Sequence, residues 1–200
     1  MARLIVNNYG SLKINKDEKT LVCVVDMVNG FVKLGAMSDI EINKITPNII
    51  NLLSKDFNRI FITDNHDKNC IEFKSFPIHC LAGTEESEII DELKLIMNKD
   101  DKVYKKNSTN FFHLLQETGI VFEDYDNIII VGCCTDICVM QFALSLKTYF
   151  NQIDKLINVI IPVDCVDTYN APDYHEAEYF NDVALRIMEQ AGIKVVSTIE

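Results

Sequence analysis

Residues 131–139, VGCCTDICV, place three cysteines within six positions, directly after the apolar run NIII. Adjacent cysteines such as Cys133 and Cys134 make a strained disulfide and a poor chelate, which argues against a redox pair or a zinc site. Cys138 stands apart. It follows Thr135 and Asp136, a good helix-capping pair, and opens an amphipathic stretch just after a strand-like run. A thiol at a helix N-terminus lies at the positive end of the peptide dipole, which favours thiolate and therefore nucleophilic attack. Packing is the competing explanation for any cysteine, since the residue type is among the most buried. It is assigned to Cys23, Cys133 and Cys165, with Cys70 and Cys80 left open.

Upstream, TDNHDKNCIEFKSFPIHCLAGT carries Asp64, His66, Glu72 and His79, and with them two of the four histidines in the chain. Asp64 and His66 are two positions apart, so an extended segment points both to one side. Imidazoles with carboxylates suit one divalent ion, zinc, iron or manganese rather than calcium. A polar loop of this length also collects such residues by composition alone. Asp26 closes the apolar run LVCVV, where a carboxylate either caps a turn or does chemistry. Lys105 and Lys106 are neighbours, so only one of them turns inward, and a solvated pair is the ordinary reading.

These groups follow a common pattern. LVCVVD (21–26), RIFIT (59–63), KVY (102–104), NIIIV (127–131), NVIIPV (158–163) and KVVST (194–198) read as strands. Their β-branched enrichment without strict alternation suits strands covered on both faces. Helical stretches lie between them: ITPNIINLLSKD, EESEIIDELKLIMNK, TNFFHLLQETG, CVMQFALSLKTYF and YHEAEYFNDVALRIMEQAG. Gly119 and Gly192 sit where helix C-caps belong. The alternation predicts an α/β, three-layer Rossmann-like fold, a six-stranded mostly parallel β-sheet with helices on both faces. In such a sheet the working site lies beyond the C-terminal ends of the strands, where Asp26, Asp64, the lysine pair and Cys138 all fall.

Composition narrows the partners. With 48% hydrophobic residues in 200, the chain has one sizeable core, and without a linker or repeat it reads as one domain, 1–200. A formal charge of −11 disfavours nucleic acid and anionic membrane. No run of eighteen apolar residues is present, and MARLIVNNYGSLKIN lacks the apolar segment and cleavage site of a signal peptide. A cytoplasmic location with reduced thiols follows, which fits seven cysteines without framework spacing.

Four segments then resemble the isochorismatase-like cysteine hydrolase superfamily, in its nicotinamidase (pyrazinamidase) branch. VVDMVNGF resembles the first-strand motif V-D-x-Q-N-D-F, and TDNH with FPIHCLAGT resembles the metal loop D-x-H … W-P-x-H-C-x-x-G-T. KKNSTNFF resembles the lysine segment and GCCTDICV the nucleophile motif G-x-x-T-D-x-C-V. The stretch from Asp164 to Val196 matches the last strand–helix–strand unit, so the resemblance runs from about residue 20 to the C-terminus.

The resemblance implies a triad of Asp26, Lys106 and Cys138, with Lys106 preferred to Lys105 because the lysine precedes a phenylalanine, here Phe112, by six positions. It implies one metal ion, zinc foremost, on Asp64, His66 and His79, with Glu72 direct or through water. It also implies a cis peptide before Cys134, and an oxyanion hole from the backbone N–H groups of Cys134 and Cys138. Phe31 and Phe76 would sandwich a pyridine ring, though core packing explains either equally well. The implied activity is hydrolysis of nicotinamide to nicotinate and ammonia, in a homo-oligomer. Val28, Gly30, Phe76 and Ile78 depart from the motifs and bear on the pocket wall. Two alternatives stand beside this one: the same chemistry on another carboxamide or ureido compound, and a non-catalytic or redox-sensing binding protein.

Overall fold

A computed structural model describes residues 9–200, so the first eight residues of the stretch inspected for a signal peptide lie outside the described residues. Strands β1 (Thr20–Val25), β2 (Asn58–Asp64), β3 (Lys102–Lys106), β4 (Asn127–Cys133), β5 (Asn158–Pro162), β6 (Val166–Asp167) and β7 (Lys194–Val196) form one sheet. Its order is β3-β2-β1-β4-β5-β7, every neighbour parallel, with β6 paired to the end of β4. The sheet thus has seven strands where six were expected. β5 pairs with Asn127–Ile129 of β4 and ends at Pro162, which has no N–H to donate and still pairs with Val196 of β7. After one turn over Val163–Cys165 the chain rejoins β4 at Gly132 and Cys133. The extra strand is that brief return.

Helices α1 (Asn29–Val32), α2 (Thr46–Leu53), α3 (Asp91–Lys94), α4 (Leu115–Thr118), α5 (Met140–Gln152) and α6 (Ala177–Gln190) connect the strands. Successive strand residues alternate between two apolar layers. Leu21, Cys23, Val25, Ile128 and Ile130 face Phe142, Leu146 and Phe150 of α5 and Leu185 and Met188 of α6. Val22, Val24, Ile129 and Val131 face Ile49, Leu52 and Leu53 of α2. Both faces are buried, so the strands need apolar residues at every position, and each such side chain contributes about 1.5–3 kcal/mol.

Two expected helices are mostly something else. In EESEIIDELKLIMNK only Asp91–Lys94 is α-helical, because Glu88 and Ile90 are extended. There the Asn29 N–H donates to the Glu88 carbonyl (2.9 Å) and the Ile90 N–H to the Met27 carbonyl (3.1 Å). Backbone pairing with the loop after β1, plus burial of Ile89 and Ile90, outweighs helical spacing. In TNFFHLLQETG a tight 3₁₀ turn, Phe111–Leu114, precedes the single turn of α4. It buries Phe111 edge-on against Phe142, with ring centroids 5.3 Å apart. Gly119 and Gly192 do adopt the left-handed conformation expected of helix ends (φ 66° and 88°).

Candidate active site

The strand order β3-β2-β1-β4 sets Lys106, Asp64, Asp26 and the turn bearing Cys138 side by side at one rim. Lys106 pairs in register with Asp64, and Val25, one residue before Asp26, pairs with Gly132. Gly132 has φ 111°, and a Cβ there would lie 1.9 Å from the Val25 carbonyl oxygen, so only glycine lets β4 approach β1 here. Asp26 itself is left-handed (φ 52°), an uncommon conformation that turns its carboxylate back over the strand ends. Its Oδ1 accepts from the Asp64 N–H at 2.8 Å, and its carbonyl accepts from the Cys133 thiol at 3.1 Å.

Lys106 is 1% exposed and Asp26 wholly buried. Lys106 Nζ lies 2.7 Å from Asp26 Oδ2, donates to Asp64 Oδ1, and lies 3.7 Å from Cys138 Sγ. Lys105 is exposed, so Lys106 is the lysine that points inward. Its contact with Asp26 Oδ2 is a buried ion pair. Burial opposes the ammonium charge, yet Asp26, Asp64 and Cys138 together raise the Lys106 pKa well above its ordinary value. Burial and the neighbouring Asp64 charge, opposed by Lys106, raise Asp26 to about 6. Burial would raise Asp64 too, but Lys106, His66 and His79 hold it below the usual carboxylate range.

Cys138 differs from expectation in two respects, its local backbone and the direction in which its surroundings push the thiol. Residues Thr135–Val139 form a π-turn, the Val139 N–H donating to the Cys134 carbonyl at 3.2 Å, and α5 starts only after it. Burial pushes the thiol well above its ordinary pKa; Lys106 counteracts this, while Asp26 and Asp64 add to it. Asp26 is the carboxylate beside the sulfur that can receive its proton. The Cys133–Cys134 peptide is cis. Cys23, Cys133 and Cys165 are buried, and Cys80 is also buried, against Gly30. A Cβ at Gly30 would meet Cys80 Sγ at 2.6 Å, so this position has no room for the aspartate of the motif it resembles.

Asp64, His66 and His79 converge as a second set. Asp64 Oδ2 lies 3.4 Å from His66 Nε2 and 3.6 Å from His79 Nε2, and the two nitrogens are 3.2 Å apart. All three residues are buried, with ligand atoms within 4.8 Å of one another. His79 Nδ1 donates to the Pro77 carbonyl (2.7 Å) and His66 Nδ1 faces Asn107 Oδ1 (3.3 Å), leaving both Nε2 lone pairs for a cation. Burial disfavours charge on His79, but Asp64, the Pro77 carbonyl and Glu72 outweigh it and raise its pKa. A field that favours a proton there favours a metal ion. Glu72 Oε1 accepts from the Thr109 N–H (3.2 Å), and its buried Oε2 has no partner. The donor set fits a divalent metal.

A narrow cavity joins the two sets, with Phe31, Phe76, Asp64, Glu72, His79, Cys134 and Cys138 on its wall. Every expected site residue but Asp26, Lys106 and His66 touches it, and those three stand directly behind. Sequence reasoning missed Met37, Thr109 and Ile137 on that wall, and Phe73, which packs edge-on against both histidines at 5.3 and 5.6 Å. It also missed that Asp64 belongs to both sets, one oxygen each. A far wider cavity, about 750 Å³, lies at the N-terminal rim of the strands. Its Arg59 is already occupied by Asp101 (2.8 Å) and by the carbonyls of Leu53 and Ile96. Ionisable groups converge at the other rim.

An all-parallel, doubly covered sheet with its ionisable groups gathered at the C-terminal rim places the protein among Rossmann-like α/β proteins. Within that class the chain belongs to the isochorismatase domain family, whose model matches residues 20–200. It is similar to nicotinamidase 1 of Arabidopsis thaliana, 27% identical over 220 residues that cover 94% of this chain and 89% of the relative. It is also 27% identical, over 141 residues, to a probable inactive nicotinamidase of the same plant, covering 61% of this chain and 69% of that one. The fold is that of a Pyrococcus horikoshii pyrazinamidase solved in complex with zinc (TM-score 0.66, 23% identity, 89% of this chain and 98% of the other). Among the described residues no helix is long and apolar enough to cross a membrane.

Proposed function

We propose that this protein is an amidohydrolase that converts nicotinamide to nicotinate and ammonia through a thioester on Cys138. The observation that carries the reading is the buried contact of one lysine with Asp26, Asp64 and Cys138, set against the Asp64–His66–His79 cluster. As Cys138 Sγ bonds to the carboxamide carbon, its proton passes to the buried carboxylate of Asp26. The electron pair displaced onto the carbonyl oxygen is met by the backbone N–H groups of Cys134 and Cys138. Collapse of the adduct breaks the C–N bond, and Asp26 returns the proton to the departing ammonia. Asp26 then takes a proton from water as the water oxygen adds to the thioester. The C–S bond breaks, the acid is freed, and the departing thiolate takes that proton back from Asp26. Lys106 stays charged throughout and holds Asp26 in place.

Asp64, His66 and His79, with Glu72, would hold one divalent ion, which when bound supplies a Lewis-acid docking point for the ring nitrogen. The zinc in the pyrazinamidase neighbour supports zinc before iron or manganese. Phe31 and Phe76 flank the slot as ring-stacking walls. The nicotinamidase relative supports the choice of substrate, while a cytoplasmic location and a homo-oligomeric state belong to the same proposal.

The probable inactive relative gives weight to a second reading, a binding protein without turnover. Ammonia release from nicotinamide separates the two. The proposal expects release by the purified protein, none by Cys138→Ala, and a large loss when a chelator strips the ion. No ammonia from nicotinamide with metal-replete protein would sink the substrate assignment. No ammonia from a panel of small carboxamides and ureido compounds would leave the second reading standing.

A further inference from the structure

Asp136 lies inside the π-turn, between Cys134 and Cys138, and plays no part in the chemistry above. Its carboxylate leaves the turn and is held at both oxygens. Oδ1 accepts from the Thr168 hydroxyl at 2.5 Å, and Oδ2 lies 2.9 Å from His175 Nε2. His175 is 6% exposed, and its other nitrogen lies 2.9 Å from the Tyr169 carbonyl. Its ring is stacked between Tyr169 (3.9 Å, 8°) and Phe180 (3.9 Å, 13°), so it cannot tilt without opening the stack. The turn is also packed in place, with Thr135, Cys138 and Val139 buried, but its other polar side chain offers no anchor: the buried Thr135 hydroxyl has no hydrogen-bond partner.

We propose that His175 is a positioning residue for the oxyanion-forming step, acting through Asp136 to aim the backbone N–H groups of Cys134 and Cys138. The proposal rests on the thiol-addition reading of this site, though not on nicotinamide as the substrate. Donors help an oxyanion only within about 3 Å and on axis, so loosening their turn weakens binding of a tetrahedral adduct. It leaves simple displacement at sulfur alone, because alkylation places no charge on a carbonyl oxygen.

Two reactions at Cys138 separate these effects. Pyridine-3-carbaldehyde adds reversibly: the S–C bond forms, the carbonyl pair moves to oxygen as an oxyanion, and the thiol proton stays on Asp26. Iodoacetamide alkylates the sulfur and expels iodide, with the thiol proton lost to Asp26 and then to solvent. The variants are His175→Phe, which keeps the stack but donates nothing, and His175→Gln, which restores a donor toward Asp136. The expected result for His175→Phe is a roughly tenfold weaker aldehyde affinity, short of the full cost of removing a donor. Its iodoacetamide rate stays within about twofold of wild type, since the nucleophile and its base are untouched. His175→Gln recovers most of the aldehyde affinity. On a hydrolysed amide the same loss falls on kcat and spares KM. Thr168→Val, which removes the hydroxyl on the other oxygen, shows the same pattern more weakly and serves if His175→Phe does not fold. An aldehyde affinity unchanged in His175→Phe, a His175→Gln no better than it, or both reactions falling in parallel would overturn the proposal. Wild-type turnover of nicotinamide tests the substrate reading separately, since the aldehyde-to-alkylation ratio is read without it.

Discussion

At the scale of single residues, the site is a balance of buried charges that the sequence names but does not pair. Asp26 titrates near 6, above an ordinary 3.8, because burial and Asp64 disfavour its charge. A carboxyl raised in this way holds its proton more tightly folded than unfolded, so ionising it costs stability. Relative to Asp26→Asn, wild type should therefore gain stability as pH falls from about 6 toward 4, read as a difference in Tm between the two. A constant difference across that window would contradict the shift. In the proposed reaction the protonated form is also inactive, so kcat/KM should fall about tenfold per pH unit below 6. Lys106→Ala leaves two carboxylates facing each other and should cost about 3 kcal/mol or more as well as turnover, whereas Lys105→Ala should change stability by under about 0.5 kcal/mol. Denaturant midpoints decide this, and a costly Lys105→Ala would reverse the register. His66→Ala should lower bound zinc well below one equivalent by elemental analysis, while iodoacetamide still alkylates Cys138 at its usual rate. The residue types at these positions were legible because motif spacing survives in sequence. The double role of Asp64 was not, since spacing says nothing of which oxygen faces which partner.

At the scale of elements, strands were read more faithfully than helices. Strands β1, β2 and β4 are buried on both faces, so their composition alone marks them. The stretch around Ile89 has helical spacing, but its backbone is claimed by the loop after β1, a contact sixty residues away that no local pattern reports. The role of His175 is hidden for a similar reason: its partner Asp136 lies in another segment, far upstream in the chain. The junction of β1 with β4 gives the sharpest element-level prediction. Gly132→Ala puts a Cβ against the Val25 carbonyl at a left-handed φ, with no flexible side chain to yield, and should destabilise the fold by at least about 3 kcal/mol. Gly83→Ala is its control, with nothing within 4 Å of the new Cβ and only the φ penalty. Thermal melts of the two that differ by less than a few degrees would mean that β4 shifts to make room.

At the scale of the whole molecule, function has been divided between the two rims of one sheet. Everything proposed to react hangs from the C-terminal rim, while the N-terminal rim carries a wide groove, a satisfied Arg59–Asp101 pair and exposed turns such as the one at Leu156, 96% exposed before β5. Parallel topology enforces this separation, because each strand begins at one edge and ends at the other. The quiet edge is therefore a handle. A short affinity tag inserted beside Leu156 should leave turnover within about twofold, since exposed turn tips tolerate insertion. Tethered by that tag to a bead or an electrode, every molecule would stand with its mouth toward the liquid, and the support would carry an oriented film.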